Sequence, residues 1–162
     1  MTADPFDALD VDWTPVSPKL ATARRAGVAA VMVPVALVAA VVAGVGPIWW
    51  AWLIALGAVV VLGWSWIVIG RQVRAIGYAE RPEELLVRHG VLWRTVVVVP
   101  YARLQYVDVH AGPIDRRLGI ARLQLHTASA GTDAAIAGLP PAEASRLRDR
   151  LTERGRSQLA GL

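Results

Sequence analysis

Two long apolar segments in the first half of the chain constrain its fold more than any other feature. No Asp, Glu, Lys or Arg occurs from Gly27 to Gly70. The segments span about 27–46 and 48–70, and helices of that length cross a hydrocarbon core of roughly 30 Å at about 1.5 Å per residue. The short connection from Gly44 to Pro47 has residues that favour a turn. We therefore predict a transmembrane α-helical hairpin over residues 19–71.

The charges that flank these segments predict the orientation of the hairpin. Lys19, Arg24 and Arg25 precede the first segment, whereas Arg71 and Arg74 follow the second, and the connection carries no charge. Basic residues concentrate on the cytoplasmic side of membrane proteins. We expect a multi-pass protein of the cell membrane with both termini in the cytoplasm. Because neither segment contains an ionisable side chain, the pattern argues against a transporter or channel.

The first eighteen residues differ in composition from the rest of the chain. Residues 1–18 contain three prolines and few apolar side chains, and their acidic residues are Asp4, Asp7, Asp10 and Asp12. Such a composition is typical of a solvated tail. A secretory signal peptide would need a positively charged start, which is missing. We predict a disordered acidic tail over 1–18; the alternative is a peptide ligand for a partner.

The second half of the chain alternates in a way that is typical of short strands. In the first predicted strand, Leu85 and Val87 fall on one face, and Leu86 and Arg88 fall on the other. Gly90 then marks a turn. Further strands are predicted at Val91–Val99, Leu104–His110, Ile120–Thr127 and Ala134–Gly138. From Pro141 onward, apolar residues recur at helical spacing, at Ala144, Leu147 and Leu151. Residues 72–156 are thus predicted to form an α+β domain, a small antiparallel sheet or barrel closed by one helix, with 157–162 as a tail.

Few residues in this chain suit catalysis or metal binding. Cysteine is absent, which excludes disulfides and thiolate metal sites. A metal site would need His89, His110 and His126, with Asp108 as a fourth ligand, but no short ligand spacing supports that set. No nucleophile elbow and no phosphate-binding loop occurs. We expect no enzyme activity, no metal and no cofactor.

Arginines supply the candidate binding residues. Arg116 and Arg117 lie in the segment from Gly112 to Gly119, which is predicted to be a turn or a single helical turn, and they can contact anionic lipid headgroups or a partner. The other candidates for the same surface are Arg71, Arg74, Arg81 and Arg122. The alternative interpretation, which we favour, is a solvated structural turn. In the last helix arginines alternate with acidic residues, a pattern that does not suit nucleic acid.

Several quoted segments resemble one known family. Two apolar helices are followed by RLQYVDV, GPIDRRLGIARLQLHTA and IAGL, then a terminal helix. This order resembles the bacterial pleckstrin-homology-like (PH-like) membrane proteins of the YdbS-like type over about residues 20–154. The most specific part runs from Val99 and Pro100 to Ala128. The resemblance implies a PH-like barrel or sandwich capped by a C-terminal helix, displayed at the cytoplasmic face, with no catalytic residues.

Together these patterns predict a non-enzymatic integral membrane protein. Its partners are expected to be the lipid bilayer and either a membrane protein or further copies of itself, and not nucleic acid. The alternative is a module that senses anionic lipid headgroups.

Overall fold

In the computed structural model, residues 11–46, 48–127 and 133–160 are described. The chain divides into two compact units, and one of them is Ala21–Arg71. Two helices build it, α1 (Lys19–Val45) and α2 (Trp50–Arg74). Both are long and apolar enough to cross a membrane, and only 6% and 17% of their most apolar windows are buried. A core helix of a soluble domain would be mostly covered, so these helices need another apolar environment.

The two helices form an antiparallel pair. Arg25, near the start of α1, donates from Nη2 to the carbonyl oxygen of Trp66 at 2.8 Å, and its guanidinium lies 4.5 Å from the Trp66 ring centroid. Trp66 is near the end of α2, so the start of one helix meets the end of the other. Small residues are among the buried positions of the pair: Ala39, Ala51, Ala55 and Ala58. Their size lets helix backbones approach.

The second unit comprises Gln72 onward together with the described residues up to Leu20. Its first sheet is antiparallel, in the order β1 (Thr14–Pro15), β2 (Gly77–Glu80), β3 (Glu84–His89) and β4 (Thr95–Pro100). Its second sheet, also antiparallel, has the order β5 (Leu104–His110), β6 (Ala121–Thr127) and β7 (Ala134–Leu139). A 3-10 turn (Tyr101–Arg103) joins the sheets, α3 (Pro113–Leu118) joins β5 to β6, and α4 (Pro141–Ala160) follows β7.

The strands make two sheets and, within the described residues, no closed barrel. The prediction of an α+β domain is therefore confirmed for the antiparallel sheets and the final helix, whereas the predicted barrel is not formed. Pro100 ends β4, and because proline has no N–H to donate, it interrupts the ladder where the chain turns into the 3-10 segment. The following strand then starts a second sheet, which contacts the first through β3 and β7.

The core lies between the sheets and α4. Along β6, buried and partly exposed residues alternate, with Leu123 and Leu125 fully buried. Leu147 and Leu151 of α4 are also fully buried, as their helical spacing predicted. Burial of each such side chain is worth about 1.5–3 kcal/mol. On β3 the three consecutive residues 85–87 are buried, so this strand is covered on both faces.

Three predicted boundaries differ from the structure. Residues 11–18 are not a free tail: Thr14–Pro15 pairs with β2, and Val16 is buried. Residues 1–10 lie outside the described part. The strand predicted from Val91 begins only at Thr95, because 91–94 form a turn. α4 continues through 157–160, which had been predicted as tail.

Candidate functional site

The predicted arginines fall into separate groups. Arg116 and Arg117 lie on α3, and Arg122 lies near the start of β6, paired with His110 at the end of β5. All three side chains are exposed and lie at the same end of the second sheet. None of them has an ion-pair partner among the described residues. This group can therefore offer positive charge to an anion or an acidic partner.

Backbone capping holds α3 in place. Asp115 Oδ2 accepts from the Gly112 N–H at 3.3 Å, and the Asp115 carbonyl accepts from the Ile120 N–H at 2.9 Å. Pro113 occupies the first helical position, where its missing N–H costs nothing. The turn predicted from Gly112 to Gly119 is thus a short helix that orients its two arginines outward.

Arg71 and Arg74 lie one turn apart on α2, and both are exposed. Arg74 also lines a cleft of about 280 Å³, together with Trp13, Arg88, His89 and Arg94. Among the described residues that line this cleft, none is acidic. We call it the arginine cleft. None of Arg116, Arg117 and Arg122 lines it, so the structure does not unite the candidates into one surface.

Arg88 is held in the cleft by local packing. Across the β2–β3 ladder it pairs with Gly77, and a Cβ at that position would lie only 3.0 Å from Arg88 Nε. The missing side chain lets the arginine cross β2 and stack on Trp13, with Cζ 4.7 Å from the ring centroid. Its Nε is buried and has no acceptor among the described residues. This arginine therefore brings fixed positive charge to the cleft wall.

A turn beside the cleft carries two exposed apolar side chains. Gly90 has φ of 102°, and a Cβ there would overlap the Trp93 carbonyl oxygen, so this tight turn requires glycine. Leu92 is 84% exposed and Trp93 is 82% exposed. We call these two residues the hairpin tip. Because Gly90 and Arg94 line the cleft, tip and cleft are contiguous.

Arg81 has a structural role. Its Nη1 donates to Glu84 Oε1 at 3.1 Å, and its carbonyl oxygen accepts from the Tyr101 hydroxyl at 2.9 Å. Arg154 of α4 donates to the same carbonyl at 3.0 Å. Arg81 therefore joins β2, the 3-10 turn and α4, and is less suited to binding a ligand.

The three histidines do not converge. His89 lies at the arginine cleft, whereas His110 and His126 lie on neighbouring strands, each with a ring nitrogen 4.0 Å from Asp108 Oδ2. In the described part of the chain, no group of three or more His, Cys, Asp or Glu is arranged to hold a metal ion. Tyr106 stacks on His126 with ring centroids 4.4 Å apart.

Asp133 completes this small polar group. It accepts from the Thr127 N–H at 2.9 Å and lies 3.3 Å from His126 Nδ1. The Thr127 backbone and, to a lesser extent, His126 hold the pKa of the Asp133 carboxyl below its usual range. These contacts tie the end of β6 to the start of β7, so their role is structural.

Sequence reasoning missed Trp13, Arg88 and Arg94 as members of one site. Trp13 had been assigned to the tail, and Arg88 to one face of a strand. The signal in the sequence was the pair Leu92 and Trp93 two residues after Gly90, because two large apolar residues beside a turn glycine are unusual. The assumption that the β-branched run continued as a strand from Val91 hid that signal.

Comparison with known proteins agrees with this architecture. The family model described as the bacterial PH domain matches residues 18–155, which is most of the chain. The UPF0699 transmembrane protein YdbS of Bacillus subtilis (strain 168) is 33% identical over 79 residues. That alignment covers 49% of this chain and 48% of the relative, so the chain spans about half the relative's length. No solved structure matches the chain.

Three observations agree on the kind of protein. The two apolar helices leave most of their surface uncovered, the second unit is a two-sheet domain with a final helix, and the family match covers both units. This chain is a membrane protein with transmembrane helices and a PH-like domain, and it belongs to the bacterial PH domain family.

Proposed function

We propose that this chain is a non-enzymatic membrane protein that displays its PH-like domain at the cytoplasmic face to bind a partner protein or another copy of itself. The basic residues that flank both apolar helices support the cytoplasmic placement. A domain fixed to the bilayer is confined to its surface, which raises its effective concentration toward other membrane proteins. Its role is then to hold a partner at the membrane.

The edge of the first sheet is the observation that carries this proposal. β4 pairs with β3 on one side and, among the described strands, has none on the other. Its sequence is rich in β-branched residues, and Val98 is 42% exposed. A free strand edge of this kind can accept a strand from a partner through main-chain hydrogen bonds.

Site-specific photo-cross-linking in native membranes tests this proposal. A photoreactive amino acid replaces Val98 in the full-length chain, and a matched probe replaces Thr152, which is exposed on α4. We expect a specific cross-linked partner, or a second copy of the chain, from position 98 only. A second experiment places the photoreactive amino acid at Val96 and adds the substitution Val98→Lys, which puts a charge on the edge of the sheet. This substitution should reduce the yield of the same cross-linked product. Equal products from positions 98 and 152 would contradict the proposal.

A second candidate function is the sensing of anionic lipids. It is favoured by the exposed arginines of α3 and β6, which have no ion-pair partner among the described residues. Basic residues within a Debye length of about 8 Å from an anionic leaflet are attracted to it. For this function the candidate headgroup ligands are Arg116, Arg117 and Arg122, with Arg71 beside the bilayer.

Thermal unfolding in detergent tests the second candidate. Short-chain phosphatidylglycerol should raise the unfolding temperature of the full-length protein more than short-chain phosphatidylcholine does. The doubly substituted variant with Arg116→Glu and Arg117→Glu should lose that difference, because both charges are reversed. Retention of the full difference in this variant would exclude these two residues as the lipid site.

A further inference from the structure

The free edge of β4 offers a defined set of backbone groups. At the end of the β3–β4 ladder, the Tyr101 N–H donates to the Glu83 carbonyl oxygen at 3.1 Å. In an antiparallel ladder this bond makes the adjacent pair, which contains Pro100, a non-hydrogen-bonded pair, and the two kinds of pair alternate along the strands. Val98 and Val96 therefore lie in pairs of the same kind. Their N–H and C=O groups point away from β3, toward the free edge.

This set of groups is self-complementary. Under a two-fold axis at Val97, each Val96 forms a hydrogen-bonded pair with Val98 of the other copy, and the two pairs together make four main-chain hydrogen bonds. We propose that two copies of this chain pair through β4 in this antiparallel arrangement, with Val97 at the axis. The inference rests on the proposed function, in which the β4 edge accepts a strand, and it names a second copy as the partner.

Pro100 selects this register. If the axis moved to Val98, the ring of Pro100 would stand where the ladder needs an N–H, and proline both removes that donor and separates the strands. If the axis moved to Val96, Val98 would face Arg94, which precedes the strand. With the axis at Val97, all four edge N–H groups have acceptors and each proline lies beyond the last bonded pair.

The side chains of the edge suit pairing with an identical strand. Free strand edges in natural proteins are usually blocked by a charged residue or a proline within the strand. From Thr95 to Val99 the edge carries neither, and Pro100 stands only at its end. Val96 and Val98 lie on one face of the sheet, so the pair brings four valines together in a cross-strand apolar cluster.

The same register covers the hairpin tip. Positions that face each other sum to 194, so Leu92 and Trp93 of one copy lie next to the 3-10 turn (Tyr101–Arg103) of the other. Ala102 and Arg103 of that turn are exposed, as are both tip side chains, at 84% and 82%. The pair therefore gives an apolar contact to the two large side chains outside the helices that a single copy leaves most exposed.

Confinement to the bilayer strengthens an interface of this size. Four main-chain bonds and a few apolar side chains bury less area than the roughly 1,200–2,000 Å² of a stable soluble complex. Two copies whose apolar helices lie in one membrane meet at a high effective concentration, so a small interface is enough to pair them.

Disulfide formation measures the axis, because the chain has no cysteine of its own. Val97 faces Val97 of the second copy in a non-hydrogen-bonded pair, where Cα atoms are about 4.5 Å apart and a disulfide can form. Val97→Cys is introduced in the full-length chain, and isolated membranes are oxidised with copper phenanthroline. We expect rapid formation of a disulfide-linked dimer. Thr152→Cys, exposed on α4, reports random collision and should react much more slowly.

A mixture of two cysteine variants tests the register. Differently tagged chains that carry Val96→Cys and Val98→Cys should cross-link to each other faster than either variant cross-links to itself. Only unlike positions face each other when the axis lies at Val97.

Val98→Pro, added to Val97→Cys, tests the hydrogen bonds. It removes the edge donor of Val98 and leaves the bonds between β3 and β4 in place, because that N–H does not point toward β3. The initial rate of disulfide formation should fall at least about fivefold, since the pair loses two hydrogen bonds. Val98→Ala keeps the N–H and should retain most of the rate. Unfolding temperatures in detergent check that each variant is folded; if Val98→Pro is not, the mixture decides.

The other outcomes overturn the inference. Equal rates at positions 97 and 152 show random collision. Fastest dimer formation by Val98→Cys alone places the axis elsewhere, and an unchanged rate in Val98→Pro shows that the β4 backbone does not join the copies. If the photoreactive probe at Val98 captures a different protein and position 97 gives no dimer, the second copy is excluded while the proposed function holds. If neither position gives a specific product, both proposals fail.

Discussion

At the scale of single residues, Glu143 connects the final helix to the first sheet. It accepts from the Tyr78 hydroxyl at 2.8 Å and from Arg146 Nε at 2.9 Å. Hydrogen bonding by Arg146, with a further contribution from Tyr78, lowers the pKa of the Glu143 carboxyl to about 2. Burial, together with the bond to Glu143, raises the pKa of Tyr78 to about 12. Both shifts favour the ionised glutamate and the neutral phenol in the folded state.

Glu143→Gln should make the protein less stable at neutral pH and less sensitive to acid. The folded pKa of Glu143 lies below its usual 4.5, so its contribution is complete above about pH 4.5 and is lost as pH falls toward 2. We expect a loss of about 1–2 kcal/mol at pH 7, because the site is partly exposed and screened. Thermal unfolding of the full-length protein between pH 7 and 3 measures this.

Glu153→Gln is the matched control for that experiment, since Glu153 is an exposed acid on the same helix. Its variant should retain the pH dependence of the parent. If Glu143→Gln keeps the same steep loss of stability in acid, the Glu143 contacts are not the cause.

Leu147 tests the core at the same scale. Its side chain is fully buried between α4 and the sheets. Leu147→Ala removes three carbon atoms and leaves a cavity, so the free energy of unfolding should fall by about 2–5 kcal/mol. Arg156→Ala at an exposed position of α4 should change it by less than about 0.5 kcal/mol. Comparable effects of the two substitutions would show that α4 is not packed on the sheets in solution.

At the scale of elements, arginines of α4 attach this helix to the first sheet. The sequence of α4 alone does not show which of its arginines make these contacts. Glu80 of β2 accepts from Arg146 Nη2 and from Arg150 Nη1, each at 3.0 Å. Charges of opposite sign that alternate along a helix favour pairs within that helix, and Arg146 does pair with Glu143 in this way. Which arginines reach the sheet depends on the rotation of the helix, and that rotation is set by the buried Leu147 and Leu151.

The turn of the β3–β4 hairpin requires glycine at position 90. Gly90→Ala should destabilise the domain by about 1–3 kcal/mol, since a positive φ and an overlap with the Trp93 carbonyl oxygen both oppose a side chain there. The same variant should change the position of the hairpin tip. Urea unfolding of the full-length protein in detergent measures the first effect.

Gly112→Ala is the control for this turn. Its φ is −68°, and the nearest atom to an added Cβ is a carboxylate oxygen of Asp115 at 3.4 Å, so the cost should be small. An equal loss of stability in both variants would argue that the Gly90 turn is not as tight as the structure has it.

At the scale of the whole molecule, the arrangement of charges predicts one topology. Basic residues flank both apolar helices, and the connection between the helices has none. An alkaline phosphatase fused after Leu162 should therefore be inactive, because the cytoplasm does not allow its disulfides to form. The same reporter placed in the connection, after Gly46, should be active. Activity at the carboxyl terminus would place the PH-like domain on the opposite side of the membrane.

The sequence by itself determined the two apolar helices, the strand-rich second half and the helix from Pro141. These depend on local patterns, since a span needs only length and apolar composition, and an amphipathic helix needs only its period. The five predicted strands correspond to β3–β7 because alternation and the flanking glycine and proline are local signals as well. The predicted strand boundaries were wrong where a β-branched run included a turn, as at residues 91–94.

Only the tertiary structure decided that the sheets stay separate and that distant residues meet. Trp13 packs on Arg88, and Arg74 joins Arg88 and Arg94 at one cleft, although Trp13, Arg74 and the β3–β4 hairpin belong to three separate parts of the chain. Glu80 meets Arg150 across 70 positions. Such contacts depend on strand register and helix rotation, which are set by the packing of the whole core, whereas periodicity along one segment specifies only its own buried face. The arginine cleft therefore could not be recognised before the fold was known.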